Sequence, residues 1–431
     1  MWACIRSAAS ICRAPTVKPV AATICCSLCK PSRCRAKSRR AMKDLRLQSK
    51  ADRRVRLGHN WIFSNEVAID QTPLTAFKPG ELARVADVGR NPVGIAYVNP
   101  NALIAARILT RDVRATIDVA WFRSRIQRAL AMRAELFAAP FYRLIYGESD
   151  GLPGFVVDRY GEVCVAQLNT AGAIALREPF IAGLTDVISP KGVLLRNAGS
   201  TRALEGIEPL DQTLGDVPER IEVIEGDMRI AAPLREGQKT GYFYDQRDNR
   251  FRLRRYIRPG DNVLDVFSYV GGWGVSAFIA GAASVTSIDT SQLALDYAEE
   301  NAKAVGKEID GLVGDAMDVM RGLHGERRRY DVVILDPPAL IKRRKDAAPG
   351  ERQYQRLNEA ALKLLKEDGF LVSASCSYHL APERLARAVH DAARESGRRL
   401  QILERTAHGP DHPIHPAMPE TEYLKALFTR A

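Results

Sequence analysis

Five short runs carry residue types that could do chemistry. Ser373-Ala374-Ser375-Cys376-Ser377-Tyr378-His379 sets one thiol among hydroxyls. A thiolate is a strong nucleophile, so Cys376 is a candidate for covalent catalysis, set against the common fate of cysteine as a small buried hydrophobe. In Leu335-Asp336-Pro337-Pro338 two prolines remove two backbone donors and stiffen an extended turn. Such a turn can aim the Asp336 carboxylate at a planar substrate, or it can simply end a strand. In Val263-Leu264-Asp265-Val266-Phe267-Ser268-Tyr269-Val270-Gly271-Gly272-Trp273-Gly274 an acid precedes a glycine-rich turn. Glycines allow positive φ and close backbone approach to a ligand, and a helix start offers free N–H groups to an anionic moiety such as a carboxylate. Asp289, in Ile288-Asp289-Thr290-Ser291, can accept both hydroxyls of a ribose, and Asp315, in Gly314-Asp315-Ala316, can accept from an adenine amine. Each of these carboxylates can alternatively cap a helix.

The elements that must hold these runs alternate in type. Strands are predicted at Asn262 to Val266, Ser284 to Asp289, Asp310 to Val313, Asp331 to Leu335 and Phe370 to Ser375, with helices beginning at Val275 and at Gln292. This β-α-β-α succession predicts a mostly parallel, doubly wound sheet, with ligands at the carboxyl ends of its strands. The chemical residues all fall at such ends. An NAD site would use the same acid at 289. The turn departs from G-x-G-x-x-G, however, and Asp265 before it suits a cofactor with a cationic ammonium and sulfonium better than a pyrophosphate. The run Lys342, Arg343, Arg344, Lys345 follows the two prolines at once and is placed to hold a phosphate backbone, or else is a solvated loop.

Upstream, residues 42–115 read as a small β-rich domain, too small for a cofactor cleft and suited to recognition. Its strands are expected at 81–87, 92–97 and 102–109. Residues 116–228 read as a central α+β domain with helices over 117–137 and 176–188 and a hairpin around Arg159-Tyr160-Gly161. Residues 229–431 form the catalytic domain. Residues 1–41 lack any Asp or Glu and carry six of the eight cysteines. They fit a misplaced start with Met42 as initiator, an organelle transit peptide, or a basic arm. Cys26 and Cys29 make a lone C-x-x-C with no second pair, so no metal site is expected. Cys164 sits in an apolar strand and is assigned to the core.

A net charge of +12 over 431 residues argues for a polyanionic partner. The apolar stretch from Val263 to Val285 contains Asp265 and the glycine cluster, so it is a strand, turn and helix, not a membrane span.

On these motifs the chain resembles the large-subunit ribosomal RNA cytosine-C5 methyltransferases that carry an N-terminal PUA domain. The resemblance covers residues 42–431. It is carried by Asn60-Trp61-Ile62-Phe63-Ser64-Asn65-Glu66, the stretch from Gly147 to Gly161, Gly237-Gln238-Lys239-Thr240-Gly241-Tyr242-Phe243-Tyr244-Asp245-Gln246-Arg247, the Asp265–Gly274 turn, Asp336-Pro337-Pro338 and Ser375-Cys376-Ser377. Val270 and Trp273 stand where Thr and Phe are expected; both changes keep the glycines.

The resemblance implies a PUA domain, a central α+β domain and a Rossmann-like catalytic domain using S-adenosylmethionine. It implies that Cys376 adds to C6 of a cytosine, with Asp336 bonding the ring at N3. It also implies that Asp265, Ser268, Tyr269, Gly271, Gly272, Gly274, Asp289, Asp315, Gln246 and Arg247 hold the cofactor. Pro337, Pro338, Lys342, Arg343 and Arg344 would meet RNA. The expected partner is large-subunit ribosomal RNA, in the cytoplasm, or in a mitochondrion if residues 1–41 are a transit peptide. No membrane partner is expected, and a homodimer is left open. Two alternatives remain at this point: methylation of a guanine nitrogen, and a non-catalytic RNA-binding assembly factor.

Overall fold

Pro92–Val98 and Ile104–Thr110 are apolar at nearly every position, as strands covered on both faces must be, and they lie inside the first sheet. The computed structural model describes residues 42–197, 199–237 and 240–431. Residues 1–41, with the start-site, transit-peptide and C-x-x-C readings, and Gln238 and Lys239 of the 237–247 run lie outside the described residues.

The first sheet contains β1 (Lys43–Arg46), β2 (Trp61–Phe63), β3 (Glu81–Ala86), β4 (Pro92–Val98) and β5 (Ile104–Thr110), in the order β1-β3-β4-β5-β2. Alternate residues of β4 serve two cores. Ala96 and Val98 pack within this sheet's own cluster, and Tyr97 packs into the cluster of the second sheet. The second sheet orders β6 (Phe141–Tyr146), β7 (Phe155–Tyr160), β8 (Val163–Leu168), β9 (Gly192–Arg196) and β10 (Asp211–Gly215) as β10-β9-β8-β7-β6. β8 and β9 are parallel, joined through the Arg177–Ile188 helix. That helix packs on the Val119–Leu136 helix at Gly183, where an added Cβ would stand 3.0 Å from that of Phe122. Cys164 is fully buried in β8, and burial pushes its thiol up to about 12.

A hairpin of β11 (Arg220–Glu225) and β12 (Met228–Pro233) follows. The division expected at 228/229 falls inside it. Its packing explains why: Asn301 exchanges hydrogen bonds with both the N–H and the carbonyl of Ala231, at 2.7 and 2.9 Å. The hairpin's core also mixes Val163 and Val165 with Val270 and Val275.

The last sheet has seven strands: β13 (Asn262–Val266), β14 (Ser284–Asp289), β15 (Ile309–Val313), β16 (Tyr330–Leu335), β17 (Leu365–Ser375), β18 (Gln401–Thr406) and β19 (Lys425–Arg430). The order is β15-β14-β13-β16-β17-β19-β18. The first five are parallel and β19 is inserted antiparallel. The sheet is thus Rossmann-like, as expected. Because β19 runs the other way, its N-terminal end meets the carboxyl ends of its neighbours. The helix after β13 starts at Gly272, not Val275, so two glycines of the turn lie in its first turn. No helix among the described residues is long and apolar enough to cross a membrane.

Candidate active site

From β13 the chain steps outward to β14 and β15, then crosses back to β16 on the other side of β13, and this reversal opens a crevice at the carboxyl ends of the strands. A cavity of about 310 Å³ lies there. It is lined by residues that follow β13 (Phe267 to Val270), β14 (Asp289, Thr290), β16 (Asp336 to Ala339) and β17 (Cys376).

The turn after β13 is bent into the left-handed region at Phe267, Tyr269 and Gly271, with φ of 66°, 48° and 78°. Two of these residues carry side chains, and such strain persists only where the surroundings enforce it. The N–H groups of Phe267 and Ser268 both donate to the carbonyl of Ile288, and that of Tyr269 donates to Asp289 Oδ2 at 3.0 Å. Asp289 Oδ1 accepts from the N–H of Ser291, so this carboxylate sets the turn while facing the cavity.

The glycines divide their work. Gly272 lines the cavity. Gly271 instead packs on the Gln292–Ala304 helix, where a Cβ would come within 2.8 Å of Ala298 Cβ, and Gly274 packs on Val285 of β14. The close approach expected toward a ligand is, at these two positions, an approach to the protein itself.

Asp265 is fully buried. Its Oδ2 accepts from the N–H of Gly274 at 3.1 Å, and its Oδ1 has no protein partner. Burial, and then the charges of Asp336 and Asp289, push its carboxyl up to about 8. The Ser268 hydroxyl, in the turn that follows, is buried and equally unsatisfied. Asp265 lies outside the cavity lining, whereas the unmatched Ser268 hydroxyl and the Asp289 carboxylate belong to it and fit polar groups of S-adenosylmethionine, the amino-acid end and the ribose.

Asp336, in the same lining, is held by two donors. Gln246 Nε2 reaches Oδ1 at 2.9 Å and Trp273 Nε1 reaches Oδ2 at 3.0 Å. Gln246 is itself oriented by Asn249, whose amide donates to Oε1 at 2.7 Å. Burial raises the Asp336 carboxyl to about 6, against the pull of both hydrogen bonds.

Cys376 lies just past β17, half-buried, with Sγ 3.8 Å from the carbonyl oxygen of Pro337. Its turn is fixed from both sides. Ser375 and Ser377 both hydrogen-bond the Tyr354 hydroxyl, at 2.8 and 2.9 Å. Lys425, paired with Ser375 across β17 and β19, donates to the carbonyls of Ser377 and Leu380 at 2.6 and 2.7 Å. Burial lowers this ammonium to about 8, partly offset by the neighbouring Cys376.

Several expected site residues fall elsewhere. Gln246 lines the cavity, but its amide is engaged by Asp336 and not aimed at the cofactor turn. Arg247 does not line it. Its guanidinium is buried between Glu225, Asp411 and the carbonyl of Phe141, because successive helical residues point about 100° apart. Asp315 is exposed and caps the Ala316–Gly325 helix through the N–H groups of Met317 and Asp318. Lys342, Arg343 and Arg344 are exposed outside the cavity and form no ion pair among the described residues. Pro337 and Pro338 do line it. Sequence reading missed Tyr242, Arg250, Tyr423 and Leu424 in the lining. The first two lie in or beside the 237–247 run; the last two precede β19 and carry no local signal. Among the described residues no group of three or more His, Cys, Asp or Glu could hold a metal ion.

Comparison with known proteins decides the class. Residues 208–430 match the S-adenosylmethionine-dependent methyltransferase family, and residues 45–111 match the PUA-like domain family. The chain belongs to the S-adenosylmethionine-dependent methyltransferase family. It is 34% identical over 377 residues to a protein named ribosomal RNA large subunit methyltransferase I from Cronobacter sakazakii, covering 86% of this chain and 94% of that one. A protein of the same name from Klebsiella pneumoniae is 34% identical over 380 residues, with the same two coverages. Among solved structures, SMU.776 in complex with SAH aligns with a TM-score of 0.78 at 19% identity, over 90% of this chain and all of that one. A likeness of that identity shows a shared fold. The methyltransferase uses S-adenosylmethionine.

Proposed function

We propose that this methyltransferase acts on large-subunit ribosomal RNA and methylates C5 of a cytosine through a covalent adduct on Cys376. The substrate class is supported by the curated relatives, which share its length and are named for it. The PUA-like domain and the charge of +12 support it independently. The single observation that carries the chemistry is that Cys376 and the cofactor turn line one cavity together with Asp336.

The residues then divide the reaction. Asp289 binds the ribose, and Asp265 and Ser268 bind the amino-acid end of the cofactor. Bound S-adenosylmethionine supplies an electrophilic methyl group. C5 of cytosine is a weak nucleophile on its own. The Cys376 thiolate adds to C6, and the electron pair of the C5–C6 double bond becomes available at C5. Asp336 in its protonated form donates to N3 and stabilises the adduct. After C5 is methylated it loses its proton to a base, the double bond re-forms, and the thiolate leaves C6. Lys425 and Tyr354 fix the turn that carries the sulfur. A base inside a duplex must be flipped out to reach this crevice. Residues 42–115 act as the RNA recognition domain and residues 116–228 connect it to the catalytic sheet. A ribosomal substrate places the enzyme in the cytoplasm.

Bisulfite sequencing of ribosomal RNA from a deletion strain tests the substrate. One large-subunit cytosine should lose its protection and regain it on complementation. Unchanged protection at every cytosine contradicts the reading.

A further inference from the structure

We propose that a second cavity, between the first sheet and the Val119–Leu136 helix, grips the phosphodiester backbone of the RNA strand whose base enters the catalytic pocket. This rests on the RNA reading above and extends it to a site of contact. The cavity measures about 480 Å³. Arg111 reaches it from the end of β5, and Arg125 and Arg128 from the helix. Residues three apart on a helix share a face, so the last two guanidinium groups stand over one opening.

Charge is unbalanced there. The carboxylates that line the cavity are already committed. Asp150 takes both nitrogens of Arg133, at 2.6 and 2.8 Å, and the N–H of Tyr146. Glu148 accepts from Trp61 Nε1 at 2.8 Å and lies 3.7 Å from Arg107. Arg111 donates only to neutral oxygens, the carbonyl of His59 and the side chain of Asn60. Arg125 lies 3.7 Å over the Trp121 ring. Among the described residues none of Arg111, Arg125 and Arg128 is ion-paired. Burial, and after it the charge of Arg128, lower the Arg125 guanidinium to about 10. The buried Ser149 hydroxyl in the same lining has no hydrogen-bond partner. Arg125 likewise donates to a neutral oxygen, the carbonyl of Leu109 at 3.4 Å. Guanidinium groups without an anionic partner and a spare hydroxyl match phosphate oxygens.

One chain segment borders both this cavity and the catalytic pocket. Pro413 and His415 line the first, and Tyr423 and Leu424 line the second. The segment is pinned between them, since Arg133 donates to the carbonyl of Asp411 and the Tyr146 hydroxyl to that of Thr421. An RNA strand laid along it meets both sites.

The test measures binding of the full chain to a ribosomal RNA fragment by fluorescence anisotropy from about 50 to 200 mM salt. The double variant Arg111→Gln, Arg128→Gln changes two exposed side chains and leaves the buried packing alone. Its slope of log affinity against log salt should fall by about 1.4, two contacts at about 0.7 each for a single strand, with affinity about tenfold lower at the low end. Arg111→Lys, Arg128→Lys should keep the slope, and S-adenosylmethionine affinity should stay level in all variants. A Gln variant with the wild-type slope and affinity overturns the proposal. So does a cavity that takes only free inorganic phosphate, seen as phosphate-dependent thermal stabilisation lost in the Gln variant without any effect on RNA. If wild-type protein methylates RNA while the variant binds it equally well, this inference fails alone. If wild-type protein neither binds nor methylates RNA, the proposed function fails and this inference with it.

Discussion

Trp273 Nε1 donates to Asp336 Oδ2 at 3.0 Å, joining the helix after the cofactor turn to the acid that ends β16. Trp273 stands where the resembling family leads one to expect Phe, which has no donor. With Gln246 on the other oxygen, the carboxyl is fixed in one rotamer and held down against the burial that raises it to about 6.

Trp273→Phe should therefore release Asp336 upward. If the protonated acid assists the adduct, the alkaline limb of the methyl-transfer profile moves to higher pH. The acid plateau, where this carboxyl is protonated and neutral, falls about fivefold, as expected for one lost neutral hydrogen bond. Single-turnover rates across pH check both, and a superimposable profile would remove Trp273 from the account as a positioning residue.

Asp265 ties stability to pH. Its folded carboxyl stands near 8 against an ordinary value of 3.8. A raised carboxyl stabilises the fold at low pH, and that contribution fades as pH rises from about 4 through about 8. Cofactor-free Asp265→Asn should thus match wild type near pH 4 and melt higher at pH 8, while binding S-adenosylmethionine more weakly. Parallel curves of Tm against pH would contradict this.

Gly271 is constrained twice, by φ of 78° and by Ala298 at 2.8 Å from an added Cβ. Gly306 has a similar φ of 71° and open space around it. Gly271→Ala should cost about 3 kcal/mol of stability, and Gly306→Ala about 1 kcal/mol from backbone strain alone. Urea unfolding of the two variants checks the difference. Equal losses would mean that packing on the Gln292–Ala304 helix contributes nothing.

The parallel sheet was legible because each strand and its turn are local signals, and so was the clustering of Asp265, Asp289, Asp336 and Cys376 at carboxyl ends. What the chain hides is fate by direction. Gln246 and Arg247 are neighbours, yet one meets Asp336 and the other leaves for Glu225 and Asp411. Asp315 looks like an adenine acceptor and serves as a cap. Trp273 was visible as a departure, but its partner lies 63 residues on and arrives only through pairing of β13 with β16. Tyr423, Leu424 and Lys425 reach the site because β19 enters antiparallel, which no local pattern announces.

The central claim is that the sulfur of residue 376 becomes covalently joined to the target base. Incubating the protein and S-adenosylmethionine with 5-fluorocytosine-substituted ribosomal RNA tests it directly, since fluorine at C5 blocks the final elimination. A complex that survives denaturing electrophoresis should form with wild type and be absent with Cys376→Ala, which still binds cofactor but transfers no methyl group. Methyl transfer by Cys376→Ala, or no trapped complex with an active wild type, would contradict the account.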